Sequence, residues 1–404
     1  MKTVLVCLAT VAAAAASGWQ HGWDTVGDMW WGDFGYSLLT QQQARFVAQN
    51  YKIVSLEKCT GRAQGMKTEA AIYQTARQLK ALNPGLKVLF YWSVTQAGVG
   101  CYAANDTLAD HPEWLLRDDN GAVVTPPRID VTNEDACNWW LDVPLNGTRG
   151  AGTEVAGLID GILADDAGYN ELANVSAARS AAQYQAKHKL LQRMQARFHA
   201  ANGGIVMGNG LSEYDMNPAD PHNRQALAYM DAIQNEHFAV FEQINRTTGG
   251  LVLDKCADVL DQIEWAAANT SKTVFASFWP GLMTSPTGPS WWNDTQPRTL
   301  QQWQAVMQRE LVFPMAAFLT VAAPNVYMAY ALWYELHQGF VPCPEAPDSC
   351  ACPPDFYPSL KKKLGEPLSA RRKVGQYQWR RDFTHATVFL DLVTPTNSSI
   401  TWNA

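Results

Sequence analysis

Two stretches of the chain place an Asp and, five residues later, a second acid in apolar surroundings: Asp160-Gly-Ile-Leu-Ala-Asp165 and Asp231-Ala-Ile-Gln-Asn-Glu236. Side chains on an extended strand alternate between its two faces. Gly161, Leu163 and Asp165 therefore share one face, while Asp160, Ile162, Ala164 and Asp166 share the other. Only one of the adjacent acids Asp165 and Asp166 can point into a common opening. The matched spacing predicts that Asp165 and Glu236 end their strands at equal depth, facing each other. Two carboxylates so placed suit cleavage of a glycosidic bond. One protonates the leaving oxygen, and the other acts as nucleophile or as base for a water. Acids at strand ends also cap helices and bind loop backbone. Asp166, just ahead of Ala-Gly-Tyr, fits that role as well as a sugar-binding one, and Asp160 and Asp231, at strand starts, read as structural.

These acids need a frame, and the apolar rhythm supplies one. Strand-like segments occur at residues 28–34, 51–58, 87–94, 158–165, 203–210, 228–236, 273–281 and 325–333. Between them run helical patterns, among them residues 68–85, 176–204 and 299–318, the first ending in Asn-Pro-Gly and the second in Gly-Gly. Eight strands alternating with helices predict an α/β fold, a (β/α)8 TIM barrel spanning residues 19–340. The open doubly wound sheet is the main rival, but no Gly-x-Gly-x-x-Gly follows any strand. Residues 341–404 read as a Cys-rich loop, a basic helix and a small C-terminal β-hairpin packed beside the barrel.

Reacting groups of such barrels sit at the C-terminal ends of the strands. Besides Asp165 and Glu236, the candidates there are Asp33, Glu57, Tyr91, Trp92, Asn209, His237, Trp279 and Trp333. Glu57, with Lys58, closes the second segment, and His237 stands ready to hold a sugar hydroxyl or to point outward. Each aromatic serves equally as core or as a platform for the apolar face of a sugar ring. The chain holds 16 Trp, several of them in loop-like contexts.

The N-terminus reads as a secretory signal over residues 1–18: Lys2, an apolar run from Val4 to Ala16, then Ser17 and Gly18. No later apolar run is long enough to span a bilayer, Val312 to Ala323 coming closest but carrying Pro314 and Thr320. Seven Asn-x-Ser/Thr sequons, at Asn105, Asn146, Asn174, Asn245, Asn269, Asn293 and Asn397, agree with an extracellular glycoprotein. Cys343, Cys350 and Cys352 lie in a Pro-rich loop that an oxidising compartment would staple, Cys343 to Cys350 or Cys352. Seven cysteines remain once Cys7 leaves with the signal, so one thiol stays free or pairs between chains. A net charge of −7 and no long basic block argue against nucleic acid, and the short basic stretches 361–363 and 371–373 read as solvated helix ends. No His-x-His or His-Glu-x-x-His motif marks a metal, and no organic cofactor is expected.

"DGILADD" is similar to the strand-four motif of several (β/α)8 glycosidase families, including the α-amylase and polygalactosaminidase groups. In the α-amylase pattern the last Asp of Asp-Gly-x-x-x-Asp is the nucleophile, which implies Asp165 here. "NEHF" (Asn235 to Phe238), residues 111–121 and the late "LGEP…WRRDF" resemble a set of glycoside-hydrolase-like barrel proteins. Two departures stand out: the α-amylase strand-four Arg is Leu163, and its strand-seven His-Asp pair has no counterpart in "FASFWPG". The resemblance implies a glycoside hydrolase acting on an O-linked poly- or oligosaccharide. The alternative is a carbohydrate-binding protein on a barrel without catalysis, since fold does not dictate activity.

Overall fold

The computed structural model describes residues 22–26, 29–32, 37–146, 157–168, 172–201, 204–209, 226–239, 243–245, 247–278, 309–332, 336–337 and 358–403. Each of the eight apolar segments forms a strand: β1 Met29–Gly32, β2 Tyr51–Leu56, β3 Lys87–Ser93, β4 Gly161–Asp165, β5 Ile205–Asn209, β6 Ala232–Phe238, β7 Thr273–Phe278 and β8 Val326–Leu332. They pair in parallel and in chain order, and β1 also pairs with β8 through Met29 and Met328, which closes the barrel. Parallel neighbours need a crossover on the outside, and helices supply it. Those described are α1 Gln41–Asn50, α2 Thr68–Leu82, α3 Ala104–Asp110, α4 Glu134–Leu145, α5 Ala177–Ala200, α6 Leu253–Asn269 and α7 Val312–Val321. A two-residue strand β9, Leu336–His337, turns back antiparallel on β8.

The acids at the strand starts stitch neighbouring strands together. Asp160 Oδ2 accepts from the Val88 amide of β3 at 2.8 Å and from Lys80 Nζ at 2.5 Å. Asp231 repeats the device two strands on, accepting from the Val206 amide of β5 and from His199 Nε2, both at 2.9 Å. Gly161 allows β4 its close approach to β5, since a Cβ there would lie 2.2 Å from the Ile205 carbonyl oxygen. These contacts fix where β4 and β6 begin, and so where Asp165 and Glu236 end.

The C-terminal hairpin is present and extends to a four-stranded antiparallel sheet in chain order: β10 Arg372–Gly375, β11 Gln378–Asp382, β12 Ala386–Asp391 and β13 Ser399–Trp402. The sheet explains α7. Every residue from Phe313 to Val321 is buried, because the helix packs against β7 on one side and β11–β13 on the other. A helix apolar all round needs such a sandwich. Its C-terminal carbonyls are then buried with no water to bind. Arg381 of β11 satisfies them, donating from Nη1 to the oxygens of Leu319, Thr320 and Ala322 at 3.1, 3.3 and 2.7 Å. A cation at a helix C-terminus also complements the helix dipole.

Lys361, Lys362, Lys363, Arg372 and Lys373 are exposed, as the sequence suggests, but they do not end an α-helix, and Arg371 differs. Residues Pro358–Lys361 form a single 3-10 turn in place of a longer helix. Arg371 is buried rather than solvated, with Nη2 paired to Asp261 and, at 2.8 Å, to Glu264 of α6. Arg371 thereby ties the segment leading into the small sheet to α6. The cysteines also differ from the reading of one leftover thiol. Cys59 and Cys101 are bonded to each other, and Cys137 and Cys256 are free and buried. Burial raises the thiol of Cys137 to about 11 and that of Cys256 to about 12, so neither ionises near neutrality. Cys343, Cys350 and Cys352 lie outside the described residues.

Arg381→Ala leaves three buried carbonyls without a donor. It is expected to lower the free energy of unfolding by about 3 kcal/mol in urea denaturation, the scale of losing charge-assisted hydrogen bonds in a buried site. A loss below about 0.5 kcal/mol would show that α7 does not depend on this cap.

Candidate active site

Side-chain alternation decides what reaches the barrel mouth. On β3, Tyr91 shares a face with Leu89, and its neighbour Leu163 on β4 shares a face with Asp165. Tyr91 donates its hydroxyl hydrogen to Asp165 Oδ2. From β5, Asn209 Nδ2 donates to Asp165 Oδ1 at 2.9 Å and to Glu236 Oε2 of β6 at 2.5 Å. Those two carboxylate oxygens are therefore no more than about 5.4 Å apart, the two bonds laid end to end. Asp165 and Glu236 meet at the same mouth, as their spacing predicts.

A bulge completes the β6 end. Asn235 pairs with Ala276 and Phe238 with Phe278, so β6 carries one residue more than β7 over this span. The extra residue lets consecutive side chains serve one site, and His237 Nε2 lies 3.5 Å from Glu236 Oε1. Gln243 locks the turn beyond, donating to the His237 carbonyl at 3.0 Å and accepting from the Ala239 amide at 2.7 Å. Ala239 has the left-handed φ of 63° that this turn imposes. At the end of β2, the carboxylate of buried Glu57 lies 3.5 Å from Lys58 Nζ, which stands 4.6 Å from the centre of the Tyr91 ring.

Asp166 goes elsewhere. Its φ of 60° ends β4, its amide donates back to Asp165 Oδ1 at 2.9 Å, and its carboxylate pairs with Arg128 and accepts from Thr95. That carboxylate is engaged by the loop after β3, which corrects the expectation of a sugar ligand. Thr95 and Arg128 also line a pocket of about 350 Å³, open mouth included, with Gln183, Tyr184 and Lys187 of α5. Trp92 is corrected too. It faces the helix layer, 3% exposed, with its ring centre 5.0 Å from that of Tyr102 and 4.3 Å from that of Trp140 of α4. Asp33, Trp279 and Trp333 lie outside the described residues.

Electrostatics follow from burial. Asp165 is raised above the ordinary carboxylate range, first by desolvation and then by the Glu236 charge, against the pull of Lys58 and the donors Tyr91 and Asn209. The Tyr91 hydroxyl is raised well above its ordinary value, by burial and then by Asp165, so it remains a donor. Burial lowers His237 against the opposing Glu236 charge, which leaves a neutral imidazole near neutrality. Among the described residues no group of three His, Cys, Asp or Glu has a metal-holding arrangement, and no helix is long and apolar enough to cross a membrane.

A family model described as hypothetical glycosyl hydrolase family 15 matches residues 80–387, about three quarters of the chain. The chain belongs to that family. It is an enzyme of the glycoside-hydrolase class, and the match spans β4, β5 and β6 with Asp165, Asn209 and Glu236. No curated protein matches it in sequence. Solved structures similar to it include the glycoside hydrolase domain of PelA from Pseudomonas aeruginosa, with 12% identity, 76% of this chain and 94% of that one covered, and a TM-score of 0.42. An α-amylase from Geobacillus thermoleovorans has 10% identity, coverage of 92% and 87%, and a TM-score of 0.47. An α-amylase from H. orenii has 9% identity, coverage of 89% and 88%, and a TM-score of 0.49.

Lys58, Arg128, Gln243 and the Cys59–Cys101 bond belong to the site's construction and were not among the residues singled out for it by sequence. A signal existed for the first and last: Cys59 directly follows the Glu57-Lys58 pair that closes β2. None existed for Arg128 and Gln243, which reach the site from irregular loops.

The raised carboxyl has a stability consequence with a definite sign. A group whose folded value lies above its unfolded one contributes stability at low pH, and that contribution is lost as pH rises through the folded value. Asp165→Asn removes the loss. Its melting temperature is expected to exceed that of wild type at neutral pH, the gap closing below about pH 3.5, where the wild-type carboxyl is protonated in both states. A variant melting below wild type at neutral pH would contradict the assignment of strain to the ionised Asp165.

Proposed function

We propose that this enzyme hydrolyses O-glycosidic bonds of a poly- or oligosaccharide with retention of anomeric configuration, Asp165 acting as nucleophile and Glu236 as general acid and then base. The observation that carries the reading is the double donation by Asn209 Nδ2, which limits the two carboxylate oxygens to about 5.4 Å. Retaining enzymes hold their carboxyl groups ~5–5.5 Å apart; inverting ones leave ~6.5–9.5 Å for a water. Proximity of two acids favours a state in which one of them keeps its proton, because the second charge is costly beside the first. Asp165 receives hydrogen bonds from Tyr91, Asn209 and the Asp166 amide, and the Lys58 charge favours its ionised form. These favour placing the negative charge on Asp165 and the proton on Glu236.

The steps then follow. Glu236 gives its proton to the leaving oxygen as the glycosidic bond breaks, and Asp165 forms an ester bond to the anomeric carbon. The ionised Glu236 next takes a proton from water, whose oxygen attacks that carbon and releases Asp165 as carboxylate. His237, beside Glu236, and Glu57, beside Lys58, are the side chains we assign to sugar hydroxyls near the reacting bond. Secretion and N-glycosylation are part of the same proposal. The signal-like N-terminus supports it, as do the exposed positions of Asn146, Asn174, Asn245, Asn269 and Asn397; Asn105 is half-buried, and Asn293 lies outside the described residues.

On whichever polysaccharide or aryl glycoside the wild type cleaves, Asp165→Asn and Glu236→Gln are each expected to lower kcat by ~10²-fold or more, with binding of the uncleaved sugar nearly unchanged. Full turnover in both variants would refute the mechanism. A sugar that binds and is never hydrolysed by wild type would favour the non-catalytic alternative.

A further inference from the structure

The backbone at Lys58 is constrained from several sides. Its φ is 38°, a left-handed value that a residue with a Cβ adopts only under constraint. Its carbonyl accepts from the Thr68 hydroxyl and, at 3.5 Å, from the Cys101 amide. The loop after β3 presses on it at Gly100, where an added Cβ would sit 2.9 Å from Lys58 Cα. The next residue, Cys59, is bonded to Cys101 of that same loop. Tyr102, one residue further, donates to the Tyr91 carbonyl at 2.8 Å, which registers the loop on β3. The outcome is a cation 4.6 Å from the centre of the Tyr91 ring, whose hydroxyl is bonded to Asp165.

We propose that Lys58 is a positioning residue of the reaction, a fixed positive charge beside the Tyr91–Asp165 pair, and that the Cys59–Cys101 disulfide is what keeps it there. The catalytic part of this inference rests on Asp165 being the nucleophile. The charge acts in two ways. It holds the face of the Tyr91 ring by a cation–π contact, and so keeps the hydroxyl aimed at Asp165. It also opposes the groups that disfavour ionised Asp165, which are Glu236 of β6 and burial itself. The other groups around this carboxylate are accounted for: Glu57 lies beside Lys58, Asn209 donates from β5, and His237 contacts Glu236. Beside β4, Asp166 is paired with Arg128. Opening the disulfide leaves the turn at residues 57–61 without its covalent tie to the β3 loop, and Lys58 becomes free to swing into solvent. A reducing environment therefore weakens the enzyme without touching a reacting group.

The test reads Asp165 directly, without substrate. The protein is labelled with ¹³C at the Asp carboxyls, the Asp165 signal is assigned by its loss in Asp165→Asn, and its titration midpoint is followed. Lys58→Met is expected to raise that midpoint by about one pH unit, on the scale of losing a nearby opposite charge. Lys58→Arg, which keeps the charge, is expected to lie near wild type. The Cys59→Ala/Cys101→Ala double variant is expected to move in the direction of Lys58→Met, as is wild type reduced with a phosphine and checked for native near-UV circular dichroism. On an aryl glycoside that the wild type cleaves, the acid limb of kcat/KM shifts upward by the same amount. An unmoved midpoint in Lys58→Met overturns the role of the charge. A moved midpoint in Lys58→Met with none on opening the disulfide overturns the role of the tie. Full turnover by Asp165→Asn would overturn the catalytic reading instead, and the titration would still stand.

Discussion

An amide nitrogen carries two hydrogens, and Asn209 directs them at two different carboxylates, Asp165 Oδ1 at 2.9 Å and Glu236 Oε2 at 2.5 Å. Like charges so close repel strongly in a buried site, and the donor between them both lowers that cost and sets their spacing. Much of the surrounding structure serves to make this bridge possible. It needs β4, β5 and β6 to end in register, and the Asp160 and Asp231 clamps on β3 and β5 fix the starts of β4 and β6. It needs β4 and β5 close together, which Gly161 permits. It needs Glu236 turned inward at the end of β6, where the bulge and Gln243 shape the backbone.

The flanks of the mouth show a division of labour between neighbouring residues of one strand. Tyr91 faces the site, while Trp92 anchors β3 to Trp140 and Tyr102 outside the barrel. Asp165 faces the site, while Asp166 fastens the turn to Arg128 and Thr95. Strand alternation thus gives Tyr91 and Asp165 each a structural neighbour one residue on, whereas the β6 bulge turns both Glu236 and His237 to the site. The structural neighbour holds the backbone against motion that would spoil distances of a few tenths of an ångström, the precision on which catalysis by positioned groups depends. At the far end of the fold, Arg381 and the C-terminal sheet seal an apolar helix that no surface position could accommodate.

Strands and barrel were legible in the sequence because buried parallel strands are short apolar runs, and eight of them recur between amphipathic helices. The carboxylate pair was legible for a related reason: a period of two, applied from Asp160 and Asp231, carries Asp165 and Glu236 to equal depth. That same period places Trp92 on the opposite face from Tyr91, so its assignment to the mouth was avoidable. The loops were another matter. Arg128 and Gln243 act through tertiary contacts with no periodic trace, and the partner of Cys59 follows from the packing of two loops, not from spacing. Of the basic residues at 361–363 and 371–373, five are exposed as charge usually is, while the Arg371 side chain is covered where Asp261 and Glu264 receive it.

The central claim, that Asp165 attacks the anomeric carbon while Glu236 handles the proton, is tested most directly by trapping the glycosyl-enzyme. Once a hydrolysed sugar is known, the enzyme is incubated with the matching 2-deoxy-2-fluoro glycosyl fluoride, digested, and mapped by mass spectrometry. The account predicts one fluoroglycosyl ester, carried by Asp165. An adduct on Glu236 or on any other residue, or hydrolysis that inverts the anomeric configuration, would contradict it.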